Sequence, residues 1–238
     1  MIEENIYNRR SFIEKSLKIT IAAGIAGSGL ISGCTGNKKE NENSNEKPVS
    51  PPEDLMQEHG VLNRILLIYD KCRADLVIKK GFQPEQLLRS AEIMRSFVED
   101  YHEKQEEKYL FPRFEQANLL KDLVQILQIQ HDKGRSLTNQ ITILSRLKVM
   151  NDKESNRLFQ LLSDFNIMYR PHEAREDTIL FPAFRKLVSK NEYDALGEEF
   201  EKNEQKQFGQ DGFEKIISQV EEIEKQLGIY DLSNFTPK

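Results

Sequence analysis

The chain has 238 residues, enough for one medium domain or two small ones. Its formal net charge is −5, so no basic field argues for a nucleic-acid partner. Two cysteines, Cys34 and Cys72, are too few for a disulfide framework. From Glu53 onward the apolar residues recur at three- and four-residue spacing, and no stretch alternates with period two, so an all-α fold is expected. A first helix is expected from Glu53 to about Lys79, on Leu55, Leu62, Ile65, Leu66 and Tyr69. Gly81 and Pro84 mark a turn. A second helix follows from Pro84 to about Asn118, with Leu87, Leu88, Ile93, Met94, Phe97 and Tyr101 on its inner face. Pro112 should end or kink it. A third covers roughly Leu119 to Met150. Asp152 is placed to cap a fourth, which continues to about Ser189 with interruptions at Pro171 and Pro182. Four long amphipathic segments with short connections read as an antiparallel up-down-up-down four-helix bundle over residues 53–189.

Residues 190–238 read as a C-terminal helical extension. Asn191 to Phe208 is highly charged. Asp211 and Glu214 are spaced as a capping box. Phe213, Ile216, Ile217, Val220, Ile223 and Leu227 form a stripe that Gly228 stops. This part carries no His or Cys, and its expected role is cover for the bundle.

The N-terminal part has a different character. Residues 1–34 read as a targeting segment. The run Asn8-Arg9-Arg10-Ser11-Phe12-Ile13-Glu14-Lys15 resembles a twin-arginine export signal. Leu17 to Ile31 is modestly apolar and shorter than the about 20 residues of a spanning helix. It leads into Leu30-Ile31-Ser32-Gly33-Cys34, which resembles a bacterial lipobox. The resemblance implies export to the cell envelope and a lipid anchor to a membrane at Cys34. Residues 35–52 read as a disordered linker, rich in Asn, Glu, Lys and Ser, and Pro51-Pro52 can open the helix that follows.

One stretch occurs twice, as His102 to Phe114 and as His172 to Phe184. Each copy has a His, a Glu four residues later, an acid, and then Leu-Phe-Pro-x-Phe. Positions i and i+4 share one face of a helix. His102 with Glu106, and His172 with Glu176, each aim an imidazole and a carboxylate at one point. Facing helices in a bundle build metal sites in this way, and two such carboxylates can bridge two ions. Each long helix carries one of the four histidines, His59, His102, His131 and His172. Measured from a common end of an antiparallel bundle they fall at roughly 10–25 Å, so all four can meet in one layer. Mixed nitrogen and oxygen ligands suit Fe, Mn or Zn. The Leu-Phe-Pro-x-Phe segments read as packing that closes the floor of the site. Cys72 reads as a small buried apolar residue. Glu107 and Glu173 read as solvated helix-face charges. Glu103 reads the same way, with an extra ligand as its alternative. Tyr69, Tyr101, Tyr109 and Tyr169 can approach the site, but periodicity does not place their hydroxyls.

With these motifs the chain resembles the hemerythrin-like family, also called the HHE cation-binding domain, from about Asp54 to Leu187. The resemblance rests on Glu58-His59-Gly60, on Gln130-His131-Asp132-Lys133-Gly134-Arg135 and on the two copies of the doubled stretch. It implies two non-haem iron ions within a four-helix bundle. The implied ligands are His59, His102, Glu106, His131, His172 and Glu176, with Glu106 and Glu176 bridging. Oxygen carriers of the family use five histidines, two of them four residues apart on the third helix. Here the position four after His131 is Arg135. That makes a more open, carboxylate-rich centre, which suits reaction with oxygen or peroxide at least as well as carriage. The expected function is a membrane-anchored di-iron module that binds or senses oxygen, nitric oxide or iron. The alternative is a di-iron oxidase, or an enzyme that reduces peroxide or nitric oxide. No flavin signature, phosphate loop or nucleophile motif is visible, so such an enzyme needs an external electron donor.

Overall fold

The computed structural model of the protein describes residues 49–237, and the expected export signal, the lipobox Cys34 and most of the linker lie outside them. The described residues are all-helical, with no strand among them. Six helices follow in order: α1 (Pro51–Ile78), α2 (84–116), α3 (Lys121–Ser145), α4 (152–187), α5 (Lys190–Phe208) and α6 (Gly212–Leu227). A short 3-10 turn, Leu232–Phe235, comes last. Among the described residues no helix is long and apolar enough to cross a membrane.

Local chemistry sets most of the ends. Pro51 and Pro52 occupy the first turn of α1, and the Ser50 backbone N–H donates to Glu53 Oε2 at 3.1 Å. Lys79 closes α1 in a left-handed conformation at φ 50°, and Gly81 turns the chain at φ 79°. The third helix is shorter than its pattern suggested. Asn118 and Leu120 both adopt positive φ in the turn before it, so helix cannot begin at Leu119. The cap of α4 is Asn151, not Asp152. The Glu154 N–H donates to Asn151 Oδ1 at 3.0 Å, and the Asn151 N–H donates to Glu154 Oε2 at 2.8 Å. Asp152 instead pairs with Lys79 across the surface at 2.7 Å. The capping box expected at Asp211 does not form. Asp211 is left-handed at φ 56°, and the Phe213 N–H donates to Glu204 at 2.9 Å instead. Gly228 ends α6 at φ 70°, as its position implied.

The prolines end none of the helices, and at two of them the regular α-helix is interrupted by a wider turn. Before Pro112 and before Pro182 the backbone widens into a π-helical turn, Glu106–Leu110 and Glu176–Leu180. The N–H of Phe111 donates to the carbonyl of Glu106, and that of Phe181 to Glu176. This i to i+5 step makes room for a residue that has no N–H and crowds the preceding turn, and the helix resumes beyond it. Pro171 lies on an exposed face of α4 beside exposed Ile167, and the helix runs on through it. A third wide turn, Met94–His102, runs directly into the first copy of the doubled stretch.

α1 packs against α2 and α4, and α3 packs against the same two. α6 covers α1 and the start of α2, and α5 lies against α1 and α6. The buried apolar residues form two clusters. On every long helix the same order appears. Leu55 belongs to the smaller cluster and Val61 to the larger, with Glu58 and His59 between them. Tyr101 and Leu110 flank His102 and Glu106, Leu127 and Leu137 flank His131, and Tyr169 and Leu180 flank His172 and Glu176. A polar layer therefore lies between two dry ones. Unpaired polar groups or charges there would be costly, so the layer has to be satisfied from within.

Asn151→Ala should lower the unfolding free energy by about 0.5–2 kcal/mol, while Asp152→Ala, at an exposed surface pair, leaves stability little changed. Urea denaturation of the two variants checks this, and equal losses would return the cap to Asp152.

Candidate metal centre

His59, His102, Glu106 and Glu176 bring ligand atoms within 4.8 Å of one another, and so do His131, His172 and Glu176. The rings pair accordingly. His59 and His102 have centroids 4.8 Å apart, and His131 and His172 lie 5.0 Å apart. Each carboxylate reaches both pairs. Glu106 Oε2 lies 3.6 Å from His102 Nε2 and 3.5 Å from His131 Nε2. Glu176 Oε2 lies 3.4 Å from His59 Nε2 and 3.1 Å from His172 Nε2. All six side chains are buried. Neither oxygen of Glu106 or of Glu176 has a hydrogen-bond partner among the described residues, and neither does Nε2 of His59 or His131.

The outward nitrogens are all occupied. His59 Nδ1 lies 2.8 Å from Asp177 Oδ1, His102 Nδ1 2.7 Å from Glu58 Oε2, His131 Nδ1 3.1 Å from Glu107 Oε1, and His172 Nδ1 2.9 Å from Gln130 Oε1. Ionised carboxylates only accept, so they hold the proton of each facing imidazole on Nδ1 and leave Nε2 bare. Bare nitrogens then face bare carboxylate oxygens, lone pair against lone pair. Only a cation, a proton or a metal ion, relieves that arrangement. A hydrogen-bonded outer nitrogen is also how proteins orient histidine ligands. The two Leu-Phe-Pro segments complete the mounting. Phe181 stacks on His59 and Phe111 on His131, each with centroids 5.5 Å apart, and Phe114 meets Phe184 at 6.2 Å.

Three glutamates expected in solvent are not there. Glu103 and Glu173 are buried, and Glu107 is half-buried against His131. Glu103 accepts from the Tyr169 hydroxyl at 2.8 Å and from Arg135 at 2.8 Å. Arg135 also donates to Glu107. Glu173 accepts from Asn63. Glu103 is thus tied to Tyr169 and Arg135 rather than turned toward the bare nitrogens. Of the four tyrosines considered, Tyr169 lies against the site, with its ring 5.5 Å from that of His172. It fits because position 134 is glycine. A Cβ there would stand 1.9 Å from the Tyr169 hydroxyl. Cys72 is buried in the larger apolar cluster, and burial pushes its thiol up to about 12.

The electrostatics describe a layer waiting for positive charge. Burial, and then the repulsion of Glu176, push the Glu106 carboxyl well above the ordinary range. Burial acts on Glu176 in the same direction, but His172 and His59 overcome it and hold Glu176 well below that range. Burial works against a charge on His59, yet Asp177 and Glu176 outweigh it and hold its proton up to about 10. Burial lowers His131 to about 4 and takes His102 well below its usual value. Without a metal, the proton held on His59 stands in part for the cation, and the raised Glu106 carboxyl acts in the same direction.

The sequence had marked the six inward residues but not the four outward acceptors. Two of these had a signal, the acid that follows the glutamate in each copy of the doubled stretch, here Glu107 and Asp177. The other two, Glu58 and Gln130, each immediately precede a histidine, and each serves the histidine of a neighbouring helix.

Comparison with known proteins agrees with this chemistry. The family model described as Hemerythrin HHE cation binding domain matches residues 50–183. An uncharacterized protein of Mycobacterium bovis is 42% identical over 227 residues, spanning 92% of this chain and 89% of its own length. Uncharacterized proteins of two Mycobacterium tuberculosis strains match to the same extent. No solved structure matches the chain.

Gly134→Ala should destabilise the protein by about 1–3 kcal/mol through overpacking, although alanine is the better helix former. Adding Tyr169→Leu should recover part of the loss. Thermal unfolding of the single and double variants measures it, and a stabilised Gly134→Ala would mean that Tyr169 does not occupy this gap.

Proposed function

The chain belongs to the hemerythrin HHE cation-binding family, and we propose that it is a di-iron protein of the cell envelope that binds or senses oxygen, nitric oxide or iron. The observation that carries the reading is the polar layer itself. Four histidines have their outer nitrogens occupied and turn their inner nitrogens, two of them without a partner, toward two carboxylates whose oxygens lack hydrogen bonds. In this reading α1 to α4 form an antiparallel four-helix bundle, which the ring of pairwise packing supports. His59, His102, His131 and His172, with Glu106 and Glu176, would hold the ions. Iron bound there would supply a change of oxidation state and affinity for a small diatomic or peroxide ligand. The chain's own residues orient the imidazoles, bring the negative charge and keep the layer dry.

Manganese or zinc also suits the donor set, and folding where iron is supplied would favour iron over tighter-binding metals. The twin-arginine-like run and the lipobox at Cys34 support export of an already folded protein and a lipid anchor. A second reading, an oxidase or a peroxide- or nitric-oxide-reducing enzyme with an external electron donor, is favoured by Arg135. It stands where the oxygen carriers have a fifth histidine, so the ligand set is the more open one.

Two outcomes test the metal reading. Glu106→Ala or Glu176→Ala should lose bound iron, measured by elemental analysis of the purified protein. Variants that keep full metal would defeat the assignment. Metal uptake should also release protons at neutral pH. His59, with its proton held up to about 10, is protonated there and must yield that proton to the ion, and the raised Glu106 carboxyl acts in the same direction. Anaerobic Fe(II) titration in weak buffer checks the release, and affinity should fall as pH falls. The anchor has its own test: Cys34→Ser should abolish lipid labelling, and unchanged labelling would remove it.

A further inference from the structure

Outside the buried layer lies a further group of metal-ligating side chains. His59, Glu173 and Asp177 bring ligand atoms within 4.8 Å of one another. They stand in the seam between α1 and α4, and exposure falls along it, from 33% for the Asp177 side chain to 4% at Glu173 and 2% at His59. One imidazole borders both the seam and the layer. Nδ1 of His59 lies 2.8 Å from Asp177 Oδ1, and its Nε2 lies 3.4 Å from Glu176 Oε2. The Asn63 amide donates to the His59 carbonyl at 3.2 Å and to Glu173 Oε1. Glu173 Oε2 and Asp177 Oδ2 have no hydrogen-bond partner among the described residues. The outer side of the seam is open. Gly60 shares a face of α1 with Asn63 and is exposed, and a Cβ on it would meet no atom of a neighbouring element within 4 Å.

The other copy of the doubled stretch shows what such a group takes. Its counterpart is His131, Glu107 and Glu103. Arg135 follows His131 by four residues, as Asn63 follows His59, and it donates to Glu103 at 2.8 Å and to Glu107. A cation carried by the chain itself stands among those acids. We infer that Glu173 and Asp177 are the capture site for the incoming metal, where a hydrated divalent cation exchanges water for their free oxygens before it passes His59 into the layer. Carboxylates gathered in a cleft raise the local concentration of a cation and its on-rate, by about 10–1000-fold. Glu173 then governs how fast metal enters and leaves, and not how tightly it is held, because the ion has moved on when loading is complete. The inference rests on the metal reading above and adds a route to it.

Asp177 also orients His59, so Glu173 is the residue to change. Glu173→Gln keeps an oxygen for Asn63 and removes the charge. Anaerobic Co(II) uptake by the metal-free full chain, followed by stopped-flow visible absorption, should be about 10-fold slower or more, with the final metal content unchanged. Release from the loaded protein to excess chelator should slow by the same factor, which reads the route without a metal-free starting state. Gly60→Leu should slow both rates by covering the seam, and it should keep or raise the melting temperature, since leucine is the better helix former. Asp132→Asn makes the same charge change on the exposed face of α3 and should load at the wild-type rate. Glu173→Gln and Gly60→Leu loading as fast as wild type, Asp132→Asn slowing as much as they do, or Glu173→Gln losing bound metal would each overturn this inference alone. Wild type taking up no metal would overturn the metal reading with it.

Discussion

The centre depends on four hydrogen bonds that point away from it. Each imidazole has its Nδ1 against an acceptor, Asp177, Glu58, Glu107 or Gln130, and so turns Nε2 toward the interior. Once the nitrogens are aimed inward, the two buried carboxylates can be balanced only by a cation. The rest of the molecule protects this condition. Apolar clusters on both sides exclude water that would otherwise satisfy the layer. The stacked Phe111 and Phe181 limit ring rotation.

The wide turns show how backbone and site are linked. The two that precede prolines begin with the inward glutamate, Glu106 or Glu176, and end immediately before a Phe-Pro pair. Proline demands the extra room, and the extra room carries the acid after the glutamate toward a neighbouring helix. Glu107 reaches His131 on α3, and Asp177 reaches His59 on α1. One short stretch therefore supplies ligands to its own helix and an orienting partner to another. This explains why the repeat of residues is also a repeat of geometry.

What was legible in the sequence was what helical periodicity controls. His102 with Glu106 and His172 with Glu176 are one turn apart, so their convergence followed from local geometry. The helices themselves followed from apolar spacing. What was hidden depended on partners distant in the chain. Glu103, Glu107 and Glu173 looked like surface charges because nothing local shows that Tyr169, Arg135, His131 and Asn63 come to meet them. The space at Gly134 is likewise made by a tyrosine from another helix. Helix ends failed for a different reason. Pro112 and Pro182 were read by the rule for a regular helix, and the π-helical turns remove the conflict that the rule assumes. At α4 adjacent positions compete, and Asn151 took the role that Asp152 was given, while at α6 Glu204 from the preceding helix accepts the Phe213 N–H in place of a local cap at Asp211.

A two-ion centre built from imidazoles and carboxylates has a scattering signature of its own. X-ray absorption at the metal edge reads it, on protein purified with its own metal and with metal content measured on the same sample. The proposed centre requires two ions per chain, nitrogen and oxygen alone around each, and imidazole scattering at both ions. A sample without metal, a single ion, or a sulfur shell from Cys72 would contradict it.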